Sequence, residues 1–493
     1  MELLDGPCAG LDVHKKSVSA CIRKRATGNE ARNQTATFRT FTADLERLSR
    51  WLEEHQVRRI ALESTGVFWI PVWNILERSE AKFQLTLINP QHAHALPGRK
   101  TDQKDCERIA ELLECGLLKG SFIPPPPVRE LRDLSRRRTH LQGERNRVLN
   151  RIRRLLETAN VKLGSVVSDV NGKTAQLILA QIADGHCDPH ELAKLAKAGL
   201  KNKRPELTAS LQGFYSDHFR WLLSESLQEL AYLDGKLDQI DKRLAKQLQA
   251  HADLILRLCT IPGVDFTTAA VIIAEIGLDM SRFPDAAHLA SWAGLSPGNN
   301  ESAGKRYSGS TCKGNRYLRR ILTQSAWSVM RKKDCYLTAL FRRVAAKGGR
   351  KKAALAVAHR MLIIAWHIIQ DGSVYQELGG NHYDRLHPDR SARRLIKRLE
   401  QIGFRVTVKK AISESAPTSD PAVPVPKEPA CKAHKSRNSK SPMTDTPSPY
   451  AAKKPADPAM CRRCARWRIP CIHARNAKLP PGATIPCNSI STT

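Results

Sequence analysis

The chain has 493 residues with 80 Lys/Arg against 48 Asp/Glu, a formal net charge of +32. Such an excess self-repels unless a polyanion neutralises it, so nucleic acid is the first partner to consider. With 41% hydrophobic residues the bulk is globular, and no unbroken apolar run is long enough to span a bilayer, which excludes a membrane protein. The N-terminus carries Glu2 and Asp5 without a basic-then-apolar signal pattern, and 13 Cys lie scattered without a disulfide framework. Both features predict a protein of the reducing cytoplasm.

Residues 1–128 hold 18 Lys/Arg and 16 Asp/Glu, a net of only +2, so the excess lies beyond them. Short β-type runs there alternate with helical patterns: Ala9–His14, Val18–Ile22, Thr35–Phe41, a helix from about Ala43, Ile60–Glu63, another helix, then Gln84–Asn89. Three strands followed by βα units predict an α/β sheet with helices packed on it, closed by Pro124 to Pro127. Over 129–253, Leu131, Leu134, Leu141, Val148, Ile152 and Leu155 recur at helical spacing, as do Leu223, Leu230, Leu237, Leu244 and their neighbours. Those intervals predict a coiled-coil insertion of long helices. Its first helix carries ten Arg and four acids in 129–160, and Arg136, Arg137 and Arg138 are candidate nucleic-acid contacts.

The region 254–405 is expected to be mainly α-helical. Leu258 to Val264 followed by Ala269, Ala270 and Ile273 reads either as a helix-hairpin-helix, with Gly263 in the turn offered to a phosphate, or as a plain αα-hairpin inside a bundle. Residues 301–370 hold 16 Lys/Arg against Glu301 and Asp334. From 406 to 493 the chain reads as a disordered tail, since 14 of its 28 Pro fall from residue 411 onward. Cys461, Cys464, Cys471, His473 and Cys487 could ligate Zn²⁺, but their spacing is looser than in structural sites, and a tail without metal is the preferred reading.

Two carboxylates sit at strand ends: Asp12 closes Ala9-Gly10-Leu11-Asp12, and Glu63 closes Arg59-Ile60-Ala61-Leu62-Glu63. Asp102 and Asp105 lie three apart at the start of a helical pattern and so share a face. Taken singly, each acid is as well explained as a helix cap. Together they follow the order strand-Asp, strand-Glu, helix Asp-x-x-Asp of RNase H-like nucleases. Four converging carboxylates repel unless hard cations sit among them, and Mg²⁺ prefers such oxygen donors. Farther on, Ser302 lies between small residues with Lys305, Arg306, Lys313, Arg316, Arg319 and Arg320 close in sequence. Cations there favour an ionised hydroxyl and stabilise charge developing on phosphorus. A simple phosphate-binding turn is the alternative, and Ser308 and Ser310 compete for the role.

Taken together, these segments resemble the DEDD transposases of IS110-type insertion sequences. The likeness rests on Gly10-Leu11-Asp12-Val13-His14-Lys15, Leu62-Glu63-Ser64-Thr65-Gly66, Lys100-Thr101-Asp102-Gln103-Lys104-Asp105, Ile261-Pro262-Gly263-Val264, and Gly294-Leu295 through Ser302-Ala303-Gly304-Lys305 to Gly314-Asn315-Arg316. It spans roughly residues 8–405. The resemblance implies a RuvC-like N-terminal domain with Asp12, Glu63, Asp102 and Asp105 as catalytic and Mg²⁺-binding acids, a coiled-coil insertion, and a C-terminal transposase domain whose catalytic serine is Ser302. It implies that Ser302 forms a transient 5′-phosphoserine link, and that a noncoding bridge RNA pairs with donor and target DNA. It further implies a homo-oligomer, dimer or tetramer, joining one protomer's acids to another's serine, and a nucleoid-associated bacterial protein. The rival expectations are a metal-dependent junction nuclease using activated water, and a nucleic-acid scaffold with a decayed site.

Overall fold

The computed structural model describes residues 6–25, 31–63, 66–89, 102–118, 120–298, 300–302 and 305–408. It divides into two compact units, Met1–Pro125 and Pro126–Thr493.

In the first unit β1 (Cys8–Val13), β2 (Ser17–Arg25), β3 (Ala31–Arg39), β4 (Arg59–Glu63) and β5 (Gln84–Ile88) form one sheet in the order β3-β2-β1-β4-β5. β1, β2 and β3 pair antiparallel, whereas β1 with β4 and β4 with β5 pair parallel, the RNase H-like arrangement. The strand positions follow the expected ones to within a few residues. All six residues of β1 are buried, because the sheet is covered on both faces. On one face, α1 (Thr42–Glu54) and α2 (Trp69–Arg78) bury Leu45, Leu48, Val72 and Leu76 against Ala9, Leu11, Val13, Ile60 and Leu62. On the other, α3 (Asp102–Glu114) packs Cys106, Ile109, Ala110 and Leu113 against Cys8, Cys21, Ala61 and Ile88. Strand alternation thus sends Cys8, Gly10 and Asp12 toward α3 and their neighbours toward α1 and α2.

In the second unit α4 (Pro126–Thr158) and α6 (Asp217–Gln247) lie along each other, and α5 (Lys173–Ala183) packs on them. Ion pairs Arg138–Asp241, Arg145–Asp234 and Arg151–Glu229 run up one helix and down the other, so the pair is antiparallel. Leu141, Val148, Leu149, Ile152, Leu223, Leu230 and Leu237 fill the seam. Next come α7 (Ala252–Leu258), α8 (Phe266–Ile276) and α9 (Ala286–Trp292), then a hairpin of β6 (Asn300–Ser302) and β7 (Lys305–Ser308). α10 (Arg316–Val329), α11 (Tyr336–Gly348), α12 (Arg350–Asp371) and the exposed α13 (Pro388–Gln401) follow. Among the described residues α12 alone is long and apolar enough to cross a membrane. It opens with Arg350-Lys351-Lys352 and buries Val357, Met361, Leu362, Ile364 and Ile368 inside the unit, as a core helix does. The tail cysteines lie outside the described residues.

Candidate active site

The acids of the first unit gather by strand register. Leu11 pairs with Leu62 across the parallel β1–β4 ladder, so Asp12 and Glu63, one residue farther, stand side by side at the carboxyl ends of the two strands. Alternation from Gly10 and Ala61 puts both on the α3 face. Asp12 is 5% exposed, and its Oδ2 lies 3.0 Å from His14 Nε2.

Gly10 determines how α3 approaches. A Cβ built there would meet the Cys106 carbonyl oxygen at 2.3 Å and the Ala110 amide nitrogen at 2.4 Å, so only glycine lets the helix rest on the strand backbone. Cys106 lies over Gly10, while the Cys8 thiol donates to the Ala110 carbonyl at 3.5 Å. α3 therefore runs opposite to β1, and its first turn, which holds Asp102 and Asp105, is at the Asp12 end. At the other end, burial and then Glu114 push the Cys8 thiol up to about 11. Asp105 is partly buried, and the Asp102 side chain lies outside the described atoms. Among the described residues no three His, Cys, Asp or Glu are already gathered as a metal cluster. The donors available are carboxylate oxygens at least partly withdrawn from water, the set that suits a hard divalent cation.

The sequence places Ser302 between small residues, with a phosphate-binding turn as the alternative. In the structure Ser302 is the last residue of β6, paired with Lys305 across the two-residue Ala303-Gly304 connection. Two-residue connections with glycine suit antiparallel strands, which is why so short and polar a stretch still pairs. The side chains of Ser302, Lys305 and Arg306 lie outside the described atoms. The hairpin stands on a narrow base: Pro297 bridges Thr311, and the Gly298 amide donates to the Ser310 carbonyl at 3.0 Å. Below that, Gly294 and Gly314 cross in backbone contact, where a Cβ on Gly314 would come within 2.3 Å of the Gly294 nitrogen.

Lys313, Arg316 and Arg320 are exposed and Arg319 is half-buried around the N-terminus of α10. Cations at the positive end of a helix oppose its dipole, so a bound anion would relieve them. Three other expected contacts have partners or a packing role within the fold. Arg136 makes a double hydrogen bond to the buried Glu275 at 2.8 Å for each oxygen, and Arg138 pairs with Asp241. Only Arg137 of the three faces solvent, because the partner helices arrive about a hundred residues later in the chain. Gly263 likewise has a packing cause, since a Cβ there would lie 2.5 Å from Val329 Cγ2.

Glu275 and Asn315 were not anticipated. Glu275 is fully buried on α8 and receives Arg132, Arg136 and Asn315. The signal was present: Glu275 is the single acid in the apolar run Val271–Ile276, and a carboxylate there must be paired.

A mixed sheet that sets Asp12 and Glu63 side by side at the carboxyl ends of β1 and β4, with an Asp-x-x-Asp helix on the same face, is the arrangement expected of an enzyme that processes nucleic-acid strands. A DEDD transposase family model of the IS110 type matches residues 9–161, and a model of the transposase IS116/IS110/IS902 family matches residues 256–341. Both models describe transposases of IS110-type insertion sequences, which this chain resembles over those segments. It is 28% identical over 310 residues to the 43.6 kDa protein of insertion element IS110 from Streptomyces coelicolor, covering 58% of this chain and 74% of that one. To the pilin gene-inverting protein of Moraxella bovis it is 22% identical over 383 residues, 75% of this chain and 97% of the relative. Among solved structures, Thermus thermophilus RuvC in complex with a Holliday junction substrate aligns at 12% identity and a TM-score of 0.19, covering 24% of this chain and 100% of the other.

Proposed function

We propose that this transposase is a recombinase that excises and inserts its element through a transient 5′-phosphoserine link at Ser302. The observation that carries the proposal is the strand pair: Ser302 at the end of β6 is paired with Lys305 at the start of β7, inside the segment that the transposase family model matches. In the reaction the Ser302 oxygen bonds to phosphorus and the 3′-oxygen of the cut strand departs. The proton lost by the serine ends on that 3′-hydroxyl, so the step is balanced. The phosphodiester energy is kept in the serine ester, and the reverse attack by a new 3′-hydroxyl reseals the strand without an external energy source. Lys305 and Arg306 neutralise charge on the phosphate.

Asp12, Glu63, Asp102 and Asp105 are the residues that would hold Mg²⁺, whose chemistry is to neutralise the scissile phosphate and polarise it. Acids and serine lie in different units, so the reaction requires both to reach one phosphate. The family resemblance supports meeting across protomers of an oligomer and a bridge RNA that pairs with both DNA partners.

The test is a nicked suicide substrate carrying an element end, incubated with the full chain and the element's noncoding RNA. A covalent protein–DNA species should accumulate, Ser302→Ala should abolish it, and Ser308→Ala and Ser310→Ala should keep it. An adduct with Ser302→Ala moves the nucleophile elsewhere. Free 5′-phosphate ends without any adduct identify a junction nuclease that activates water.

A further inference from the structure

The Ser302 hairpin is anchored to the helical arm by a buried polar junction. On α8, Glu275 is 0% exposed and is the helix's single charged residue. Two arginines of α4 reach it. Arg132 caps the end of α8, donating to the Ala274 carbonyl at 3.1 Å and the Glu275 carbonyl at 2.6 Å. Arg136 takes both carboxylate oxygens at 2.8 Å. Its guanidinium also lies 4.7 Å from the centre of the Tyr317 ring, and Tyr317 OH meets His140 Nε2 at 3.0 Å.

The third donor comes from the hairpin's exit. Asn315 Nδ2 donates to Glu275 Oε2 at 2.6 Å, while Asn315 Oδ1 accepts from the Tyr317 and Leu318 amides at 3.1 and 3.0 Å. One side chain thus starts α10 and ties the preceding residue, Gly314, to α8. Gly314 is the residue wedged against Ala293 and Gly294, where the hairpin's two legs cross. The double hydrogen bond from Arg136 already compensates the buried carboxylate, so the fold does not need the Asn315 contact to satisfy Glu275. The contact's distinct effect is to fix where the exit leg leaves the helical body.

We propose that Glu275 is a positioning residue for strand cleavage, holding Asn315 and through it the hairpin base, so that Ser302 is aimed by the arm helix α4. The proposal rests on Ser302 being the nucleophile. A junction that ties serine placement to α4 also makes the arm's position felt at the serine, since Arg132 and Arg136 are arm residues.

The test measures adduct formation by the full chain at saturating suicide substrate, with DNA affinity and thermal melting measured in parallel. Asn315→Asp keeps the helix cap but sets a second carboxylate against Glu275. Its rate should fall about a hundredfold, the order expected for a misplacement near 1 Å, with DNA affinity unchanged. Glu275→Gln combined with Asn315→Asp restores an amide–carboxylate pair with the partners exchanged, and the new glutamine oxygen still accepts from Arg136. That double variant should recover to within about tenfold of wild type, a rescue that lost stability alone cannot produce. Should Asn315→Asp fail to fold, Asn315→Ser keeps a cap and both arginine pairs while removing the amide donor. It should fold and still lose rate. Wild-type rates in Asn315→Asp or Asn315→Ser, or a folded double variant no faster than Asn315→Asp, overturn the positioning role. A persistent adduct in Ser302→Ala, run alongside, overturns the nucleophile instead, so the two failures are separable.

Discussion

Gly10→Ala inserts one methyl group where α3 crosses β1. The new carbon would lie 2.3 Å from the Cys106 oxygen, 2.4 Å from the Ala110 nitrogen and 2.9 Å from Ile109 Cβ, whereas ordinary contact begins at 3.4 Å. Two of the three are backbone atoms, so no side chain can turn aside, and the helix must retreat by about 1 Å. Overpacking of this kind costs about 1–3 kcal/mol. The larger effect falls on chemistry, because Asp105 rides on α3 while Asp12 and Glu63 stay on the sheet. A relative displacement near 1 Å is expected to slow cleavage by about a hundredfold. The assay is single-turnover strand cleavage below the melting temperature, compared with Leu45→Ala. Leu45 is 1% exposed on the opposite face, and its truncation costs about 2–5 kcal/mol without touching the α3 contact. Leu45→Ala should cleave normally while folded, and Gly10→Ala should not. If Gly10→Ala cleaves at the wild-type rate, or if the two variants lose rate equally at equal fraction folded, the acids are not positioned through this crossing.

Arg137→Ala should lower the slope of log Kd against log salt by about one unit without moving the melting temperature, as loss of a single phosphate contact does. Arg138→Ala should do the reverse, costing about 1–3 kcal/mol by stranding Asp241 while leaving the salt slope alone, and a changed slope would restore Arg138 to the interface. Burial, then Arg360, holds the His359 imidazole below its ordinary 6.5. Below that pH the unfolded chain takes up the proton first. The neutral imidazole's contribution is therefore full above 6.5 and is lost as pH falls through the lower folded value. Thermal melts of His359→Gln between about pH 7.5 and 5 should show a flatter acid limb than wild type, and identical limbs would remove His359 from the linkage.

The two central strands β1 and β4 were legible because they are apolar runs with a carboxylate at or next to their ends, Asp12 and Glu63. Their adjacency was not, since it depends on Leu11 meeting Leu62, a register that neither strand encodes alone. Composition hid the partners of Arg136 and Arg138 for a related reason. Ten arginines on one helix look like an interface until Glu275 and Asp241 arrive from elsewhere in the chain. Ser302 was picked out by its cationic neighbours, but its strand conformation was hidden, because Asn300-Glu301-Ser302 has no apolar alternation. Backbone pairing across Ala303-Gly304 supplies the order instead. Gly10 stood inside a recognisable motif, yet its reason, the carbonyl of Cys106, is a tertiary contact.

The arginine–aspartate pairs between α4 and α6 recur seven residues apart on both helices, at Arg138–Asp241 and Arg145–Asp234. The arm is consequently graduated like a ruler. Adding one residue to a single strand of it would turn everything beyond by about 100° and set leucines against charges. Adding seven to each would lengthen it by roughly 10 Å and restore the same facing. Relatives of this transposase that differ in arm length should do so in such matched increments, and the reach from the arm's tip to the Ser302 hairpin would then change in discrete steps.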